Sequence, residues 1–188
     1  TELVALYINQ GATFAEGIQI AQNALTGSCS MLLLTDQGVY AARDKLGRTP
    51  IILGQKAGAY AATLESCAFP NLGYETLRDV GPGEIVRLTP EGVEVVALPG
   101  HRCQICAFLW IYTGYPASSY EGISVEVVRE NCGRFLAKND NVQADLVAGV
   151  PDSGVGHAIG YAMESSLPYR RPLTKYTPGY GRSYTPPS

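Results

Sequence analysis

Charge is scarce in this sequence. Only 16% of its 188 residues are Asp, Glu, Lys or Arg, against roughly 25% in an average soluble protein. Lys and Arg number 14, Asp and Glu 17, and the formal net charge is −3. No overall basic field exists, which excludes sequence-independent binding to nucleic acid. Long apolar runs are also missing. The longest, Ile105 to Tyr112, falls far short of the ~20 residues of a membrane-spanning helix. No charged segment followed by an apolar core opens the chain, so neither a membrane nor a secretion route is expected. The five cysteines are an odd number in a chain too large to need covalent staples. Reduced thiols and a cytoplasmic location are the expectation. What is plentiful is turn-forming and apolar: 21 Gly, 12 Pro and 46% hydrophobic residues, enough for a packed core crossed by many turns. The chain opens on Thr1 and stops in a Pro-rich stretch, as a piece of a longer polypeptide would.

Periodicity divides the chain in two. Leu3, Leu6 and Tyr7 recur at helical spacing before Gly11. Thr13 is placed to cap a second helix, with Glu16 as its capping-box partner and Ile18, Ala21 and Leu25 as its apolar stripe. Short β-prone runs follow at Ser28–Thr35, Val39–Arg43, Ile51–Leu53 and Tyr60–Leu64. Glu84–Leu88 and Val93–Leu98 flank the turn Thr89-Pro90-Glu91-Gly92 as a hairpin. Past Pro99-Gly100 the pattern changes. Phe108–Tyr112 reads as a buried strand, Ser124 opens a helix to about Lys138, and Asp145–Val150 reads as a strand. A turn at Pro151–Gly154 and a helix over Val155–Ser165 complete half of a βαβ unit. The expected fold class is α/β in the broad sense (α+β), with a boundary near residues 99–105.

The turn after Asp145–Val150 carries the most chemistry. Strand, turn and helix in that order present backbone N–H groups and a helix N-terminus, which suit a phosphate or pyrophosphate. Ser153 adds a hydroxyl for phosphate or for a metal bound with it. The competing reading is that Asp152 or Ser153 simply caps the helix. Beyond it, Leu167 to Ser188 holds Arg170, Arg171, Lys175 and Arg182 and no acid, which suits a flap closing on an anion or an exposed end. Cys103-x2-Cys106 has metal-ligand spacing, but a tetrahedral site needs four ligands and His101 offers only a third. Cys29, Cys67 and Cys132 sit in apolar patterns and read as core, and His157 as packed or exposed rather than a base. No Ser/His/Asp order, HExxH, P-loop or GxGxxG is present. These residues alone describe an anion-binding α/β chain, and a non-catalytic anion-binding or regulatory module is one reading of it.

Six collinear strings add a resemblance. Arg43-Asp44-Lys45-Leu46-Gly47-Arg48-Thr49-Pro50, Leu64-Glu65-Ser66-Cys67-Ala68 and Arg78-Asp79-Val80-Gly81-Pro82-Gly83-Glu84 are similar to R-D-P-L-G-I-R-P, S-E-S-C-A and R-D-V-x-P-G-E. Those three belong to glutamine phosphoribosylpyrophosphate amidotransferase, or amidophosphoribosyltransferase. Ser124-Val125 with Arg129 and Gly133 resembles S-V-Y-x-x-R-x-x-x-G. Val150–Gly154 with Ile159-Gly160-Tyr161-Ala162 resembles V-P-D-S-G-x-x-A-A-I-G-Y-A, and Gly181-Arg182-Ser183-Tyr184 resembles G-R-T-F. Two strings depart from the pattern: Tyr112–Ser118 replaces Y-F-A-R-P-D-S and loses an Arg and an Asp, and Lys175-Tyr176-Thr177-Pro178 replaces K-N-R-Y and loses an Arg.

The resemblance implies two partial domains. Residues 1–99 would be the later part of an N-terminal-nucleophile glutaminase, an αββα sandwich of the class II amidotransferases. Residues 100–188 would open a type I phosphoribosyltransferase. The whole enzyme would use glutamine and phosphoribosyl pyrophosphate to make phosphoribosylamine, glutamate and pyrophosphate, the first step of purine nucleotide synthesis, as a homo-oligomer. No catalytic residue is expected here, because the family's nucleophilic Cys lies upstream, so the chain alone is expected to be inactive. Asp152, Ser153, Gly154, Lys175 and Arg182 carry over as substrate-binding residues, with Ser153 at a Mg²⁺ contact. Cys106 matches a ligand of the 4Fe–4S cluster that some members hold.

Overall fold

The computed structural model describes residues 1–176. Arg182, and with it the Gly181–Tyr184 string, lies outside the described residues. The chain divides into two compact units, one of Thr1–Leu109 with Ala117–Ser124, the other of Trp110–Pro116 with the chain from Val125 onward.

The first unit opens on α1 (Glu2–Ile8) and α2 (Phe14–Ala24). Thr13 caps α2: the Glu16 N–H donates to its Oγ1 at 3.2 Å, and the Glu16 carboxylate accepts from the Ala12 N–H at 2.8 Å. These satisfy amides that a helix start otherwise leaves unpaired. Of the expected stripes, Ile18 and Ala21 are fully buried, whereas Leu3 and Leu6 are exposed. In α1 it is Ile8, with Val4 and Tyr7, that packs inward.

Seven strands follow: β1 (Met31–Thr35), β2 (Gly38–Ala42), β3 (Ile52–Lys56), β4 (Ala59–Thr63), β5 (Glu75–Asp79), β6 (Ile85–Thr89) and β7 (Gly92–Ala97), with the short helix α3 (Ala68–Asn71) before β5. They form two antiparallel sheets, ordered β1-β2-β6-β7 and β4-β3-β5. Alternation along β2 and β6 sends residues to both faces. Tyr40, Ala42 and Ile85 meet Ile8, Ile18 and Ala21 of the helices. Ala41, Val86 and Leu88 meet Ile51, Leu53 and Val80 of the second sheet. The result is helices, sheet and sheet in three layers. Strand β5, rich in charge, was not legible as a strand in the sequence.

Two polar clusters hold the loops of this unit. Asp44, almost fully buried, accepts from the amides of Leu46, Arg48 and Thr49 and from the hydroxyls of Ser28 and Ser30. Burial pushes its carboxyl up, but the donors from Thr49, Arg48, Ser28 and Leu46 together hold it below the ordinary Asp value. Arg43 donates to the carbonyls of Val80 and Gly47 and to the Glu121 carboxylate at 2.6 Å. A hairpin of β8 (Ser119–Tyr120) and β9 (Ile123–Ser124) is fastened to the same unit. The Ser119 N–H donates to Ser66 Oγ, and the Tyr120 hydroxyl to Glu65.

The first unit therefore extends past the boundary expected at 99–105. The amides of Gly100, Gln104 and Cys106 donate to the carbonyls of Pro82, Leu46 and Arg48, so the segment is bonded to this unit through its backbone. Periodicity cannot report such bonds.

The second unit holds α4 (Val125–Lys138), β10 (Val147–Ala148), α5 (Gly154–Ser165) and β11 (Tyr169–Arg170). Strands β10 and β11 pair in parallel, with Val147 opposite Tyr169, around the crossover α5. The two helices lie against each other through glycines. A Cβ on Gly133 would land on the His157 carbonyl, and one on Gly160 on the Glu130 carbonyl. The expected strand at Phe108–Tyr112 is instead a turn of π-helix over Leu109–Thr113, with Phe108, Ile111 and Tyr112 exposed. A short apolar run does not distinguish strand from helix, and here Arg129 decides. Its buried guanidinium donates to the carbonyls of Trp110, Tyr112 and Gly114, at 2.8, 3.0 and 2.8 Å, gathering the coiled backbone around one charge.

Candidate functional site

The end of β10 runs through Gly149, Val150 and Pro151 into the first turn of α5, with a cis peptide between Pro151 and Asp152. The Gly154 N–H donates to the Val150 carbonyl at 3.0 Å and the Val155 N–H to the Asp152 carbonyl at 3.3 Å. The amides of Asp152 and Ser153 have no backbone partner among the described residues. Ser153 is the N-cap residue, yet its side chain makes no capping hydrogen bond and its backbone is already helical, at φ −67 and ψ −24. The capping reading of Ser153 therefore has no hydrogen bond behind it.

Asp152 is exposed, and its carboxylate pairs with Lys175 Nζ at 3.1 Å. The structure thus brings together Asp152, Ser153, Gly154 and Lys175, four of the five residues expected to bind substrate; the fifth, Arg182, falls outside the described residues. The loop offers two amides and a hydroxyl, with an ammonium shared with the Asp152 carboxylate, at the N-terminus of a 12-residue helix. Donors of this kind favour an oxyanion.

Two glycines around the loop have different work. A Cβ on Gly149 would come within 2.8 Å of Val155 Cα and 3.0 Å of the Gly154 carbonyl, so Gly149 lets the strand end lie against α5. A Cβ on Gly154 would meet nothing nearer than 3.6 Å. The role of Gly149 was missed in the sequence, where its only signal is a Gly directly after a strand.

The other candidates do not converge on chemistry. His157 Nε2 lies 3.0 Å from the Ile111 carbonyl. All five cysteines are free thiols; Cys29 and Cys67 are half-buried, and Cys132, expected in the core, is exposed on α4 with Cys103 and Cys106 exposed in their loop. Among the described residues, no three His, Cys, Asp or Glu side chains come together as a metal site. Among the described residues Cys106 is not joined by the further ligands that a cluster takes, four in all; the resemblance places those beyond this chain. Mg²⁺ asks for less. It binds through one or two protein oxygens together with phosphate and water, and the Ser153 hydroxyl and Asp152 carboxylate are oxygens of that kind. No helix among the described residues is long and apolar enough to cross a membrane.

No protein-family model matches the chain. Curated proteins do: the amidophosphoribosyltransferase of Archaeoglobus fulgidus is 37% identical over 176 residues, 93% of this chain. That of Bacillus subtilis is 35% identical across the whole chain. The chain is a homologue of amidophosphoribosyltransferases. Solved structures agree in fold. One, the allosteric regulatory enzyme of purine biosynthesis, superimposes on all of this chain with a TM-score of 0.88 at 34% identity. Another, the B. subtilis glutamine phosphoribosylpyrophosphate amidotransferase complexed with ADP and GMP, does so with a TM-score of 0.88 at 35% identity. The chain spans 38% and 40% of the two curated amidophosphoribosyltransferases and 41% and 42% of the two solved ones.

Proposed function

We propose that this chain supplies the pyrophosphate-binding loop of an amidophosphoribosyltransferase, with Asp152–Gly154 as the loop and Lys175 beside it. The whole protein would transfer ammonia from glutamine to phosphoribosyl pyrophosphate, releasing pyrophosphate and glutamate, in the cytoplasm and as a homo-oligomer. The first unit would be part of its glutaminase sandwich and the second the start of its phosphoribosyltransferase. The observation that carries the reading is the uncapped Ser153 hydroxyl, set beside two amides with no backbone partner among the described residues and within a loop whose carboxylate already holds an ammonium. A structural cap spends its side chain on the helix; this one leaves it open.

In the Michaelis complex the open amides and Ser153 Oγ would donate to pyrophosphate oxygens, and Lys175 would neutralise the charge that builds on the leaving group. Mg²⁺ would be held with the pyrophosphate by Ser153 and Asp152, where it would lower the same charge as a Lewis acid. Arg182 would join from the segment beyond Tyr176.

The test uses one variant and two measurements. Ser153→Ala should weaken binding of pyrophosphate with Mg²⁺ by roughly 2- to 13-fold, the equivalent of a hydrogen bond of about 0.5–1.5 kcal/mol. Its melting temperature should stay at the wild-type value. A lower melting temperature with unchanged pyrophosphate affinity would return Ser153 to a structural role and defeat the assignment.

A further inference from the structure

Asp152 and Lys175 stand 23 residues apart in the sequence, and a parallel strand pair brings them together. Strands β10 and β11 run side by side, with Ala148 opposite Arg170, so both end on the same edge of their sheet. Shortly past that edge one chain segment reaches Asp152 and the other reaches Lys175. Lys175 Nζ then lies 3.1 Å from the carboxylate, with the side chains 56% and 74% exposed. Among the described residues this is the one ion pair that either group makes. The two side chains together are neutral. An ammonium already shared with a carboxylate attracts a further anion less strongly than a free one does.

We propose, on the reading of Asp152–Gly154 as the pyrophosphate loop, that this ion pair makes the loop selective for magnesium-complexed over metal-free pyrophosphate. Asp152 is the residue that discriminates. When Lys175 turns to metal-free pyrophosphate, the ion pair breaks and the Asp152 carboxylate is stranded beside a second negative charge. With the magnesium complex, Lys175 takes an anion and Asp152 a cation, so both charges exchange partners at once. The two loop amides favour the anion whether or not a metal comes with it, and so cannot discriminate. A carboxylate in an anion-binding loop would otherwise be a plain liability. Paired with Lys175, it rejects the wrong form of the ligand by leaving a charge without a partner. Exposure bounds the effect, because a surface ion pair is worth a factor of roughly two to five.

Calorimetric titration of the purified 188-residue chain with pyrophosphate, once in excess Mg²⁺ and once in EDTA, tests this. Wild type should bind more tightly with Mg²⁺. Asp152→Asn should tighten binding in EDTA by roughly two- to fivefold, and the advantage conferred by Mg²⁺ should shrink. In a Lys175→Gln background the same substitution should lose most of its gain in EDTA, since no ion pair is left to release. Both side chains are exposed, so neither change disturbs the fold. If wild type binds pyrophosphate in neither buffer, or Ser153→Ala binds as wild type does, the loop reading itself fails and the selectivity falls with it. If Ser153→Ala weakens binding but Asp152→Asn gains nothing in EDTA, the ion-pair proposal alone is overturned. An equal gain with and without Lys175 overturns it too, because simple charge repulsion then accounts for the effect.

Discussion

Gly154 and Gly149 sit five residues apart and invite opposite outcomes from the same substitution. Gly149→Ala would press a methyl group onto Val155 Cα and the Gly154 carbonyl, and backbone atoms cannot swing aside as a side-chain tip can. A stability loss of about 1–3 kcal/mol is expected from such overpacking. Gly154→Ala meets only ordinary contacts and should leave the melting temperature in place. If the loop binds pyrophosphate, however, the added methyl stands where the ligand must approach the backbone, and affinity should fall. Paired melting curves and pyrophosphate titrations on the two variants check both halves. A Gly154→Ala protein that melts normally and binds normally would remove the ligand from this loop. At this scale too, Asp44 ties stability to pH. Its carboxyl is held below 3.8 by its hydrogen-bond donors, despite burial. A depressed folded-state pKa gives stability that is present above the unfolded value and lost as pH falls through the folded one. Stability should therefore drop below about pH 3.8, and Asp44→Asn should flatten that limb of the profile. Asp79 works in the other direction: burial, then the Glu121 charge, raise its pKa against smaller opposing pulls from the Glu121 N–H and from Arg43. Its charge weakens the fold as pH rises above 3.8, so Asp79→Asn should stabilise the protein at neutral pH. Urea titrations at several pH values measure both slopes.

At the scale of elements, the α4–α5 contact rests on absent side chains. Gly133 faces the His157 carbonyl and Gly160 faces the Glu130 carbonyl, each too close for a Cβ, while Gly156 sits against Glu126 and Arg129. Gly160→Ala should force the helices apart and destabilise the second unit by about 1–3 kcal/mol. That is the reverse of the gain alanine usually brings to a helix interior. A variant at least as stable as wild type would refute the close approach. This contact shows what a sequence conceals. A glycine in a helical run reads as a weak point in propensity, and only the partner helix reveals that it is a contact. Thr13 and Glu16 were legible because a capping box is a local device with fixed spacing. The strands from Val39 to Val96 other than β5 were legible through their turns, and the loop at Asp152 through a motif whose order of strand, turn and helix carries its own geometry. Arg129 was not legible as a buried organiser, since arginine is mostly exposed and its three carbonyl partners lie 15 to 19 residues upstream. The run Phe108–Tyr112 misled because hydrophobicity without a period does not choose between helix and strand. The pairing of Lys175 with Asp152 spans 23 residues, and nothing in the spacing announces it.

Over the whole chain, the two units are unequally built. Of the eighteen buried hydrophobic residues among those described, fifteen belong to the first unit, including Ile18, Ile52, Leu53, Phe69 and Ile85; the second has Val125, Ala158 and Ala162. A fully buried aliphatic or aromatic side chain contributes about 1.5–3 kcal/mol, and an alanine far less. The second unit instead relies on close helix contact and on the Arg129 hydrogen bonds, and its α4 leaves Val127, Phe135 and Leu136 exposed. It should open first under denaturant. The chain carries its own reporter, because its single tryptophan, Trp110, lies in the second unit next to the carbonyls that Arg129 holds. The fluorescence midpoint in urea should therefore precede the loss of amide protection in β2 and β6, the central strands of the first unit. Arg129→Met, which strips three carbonyls of their buried donor, should move the fluorescence midpoint further down. Slow exchange at Tyr40–Ala42 and Ile85–Leu88 should persist at concentrations where Trp110 already reports unfolding. Coincidence of the two transitions in both proteins would mean that the thin core of the second unit is not the weaker one, and that its stability comes from contacts other than those counted in its own interior.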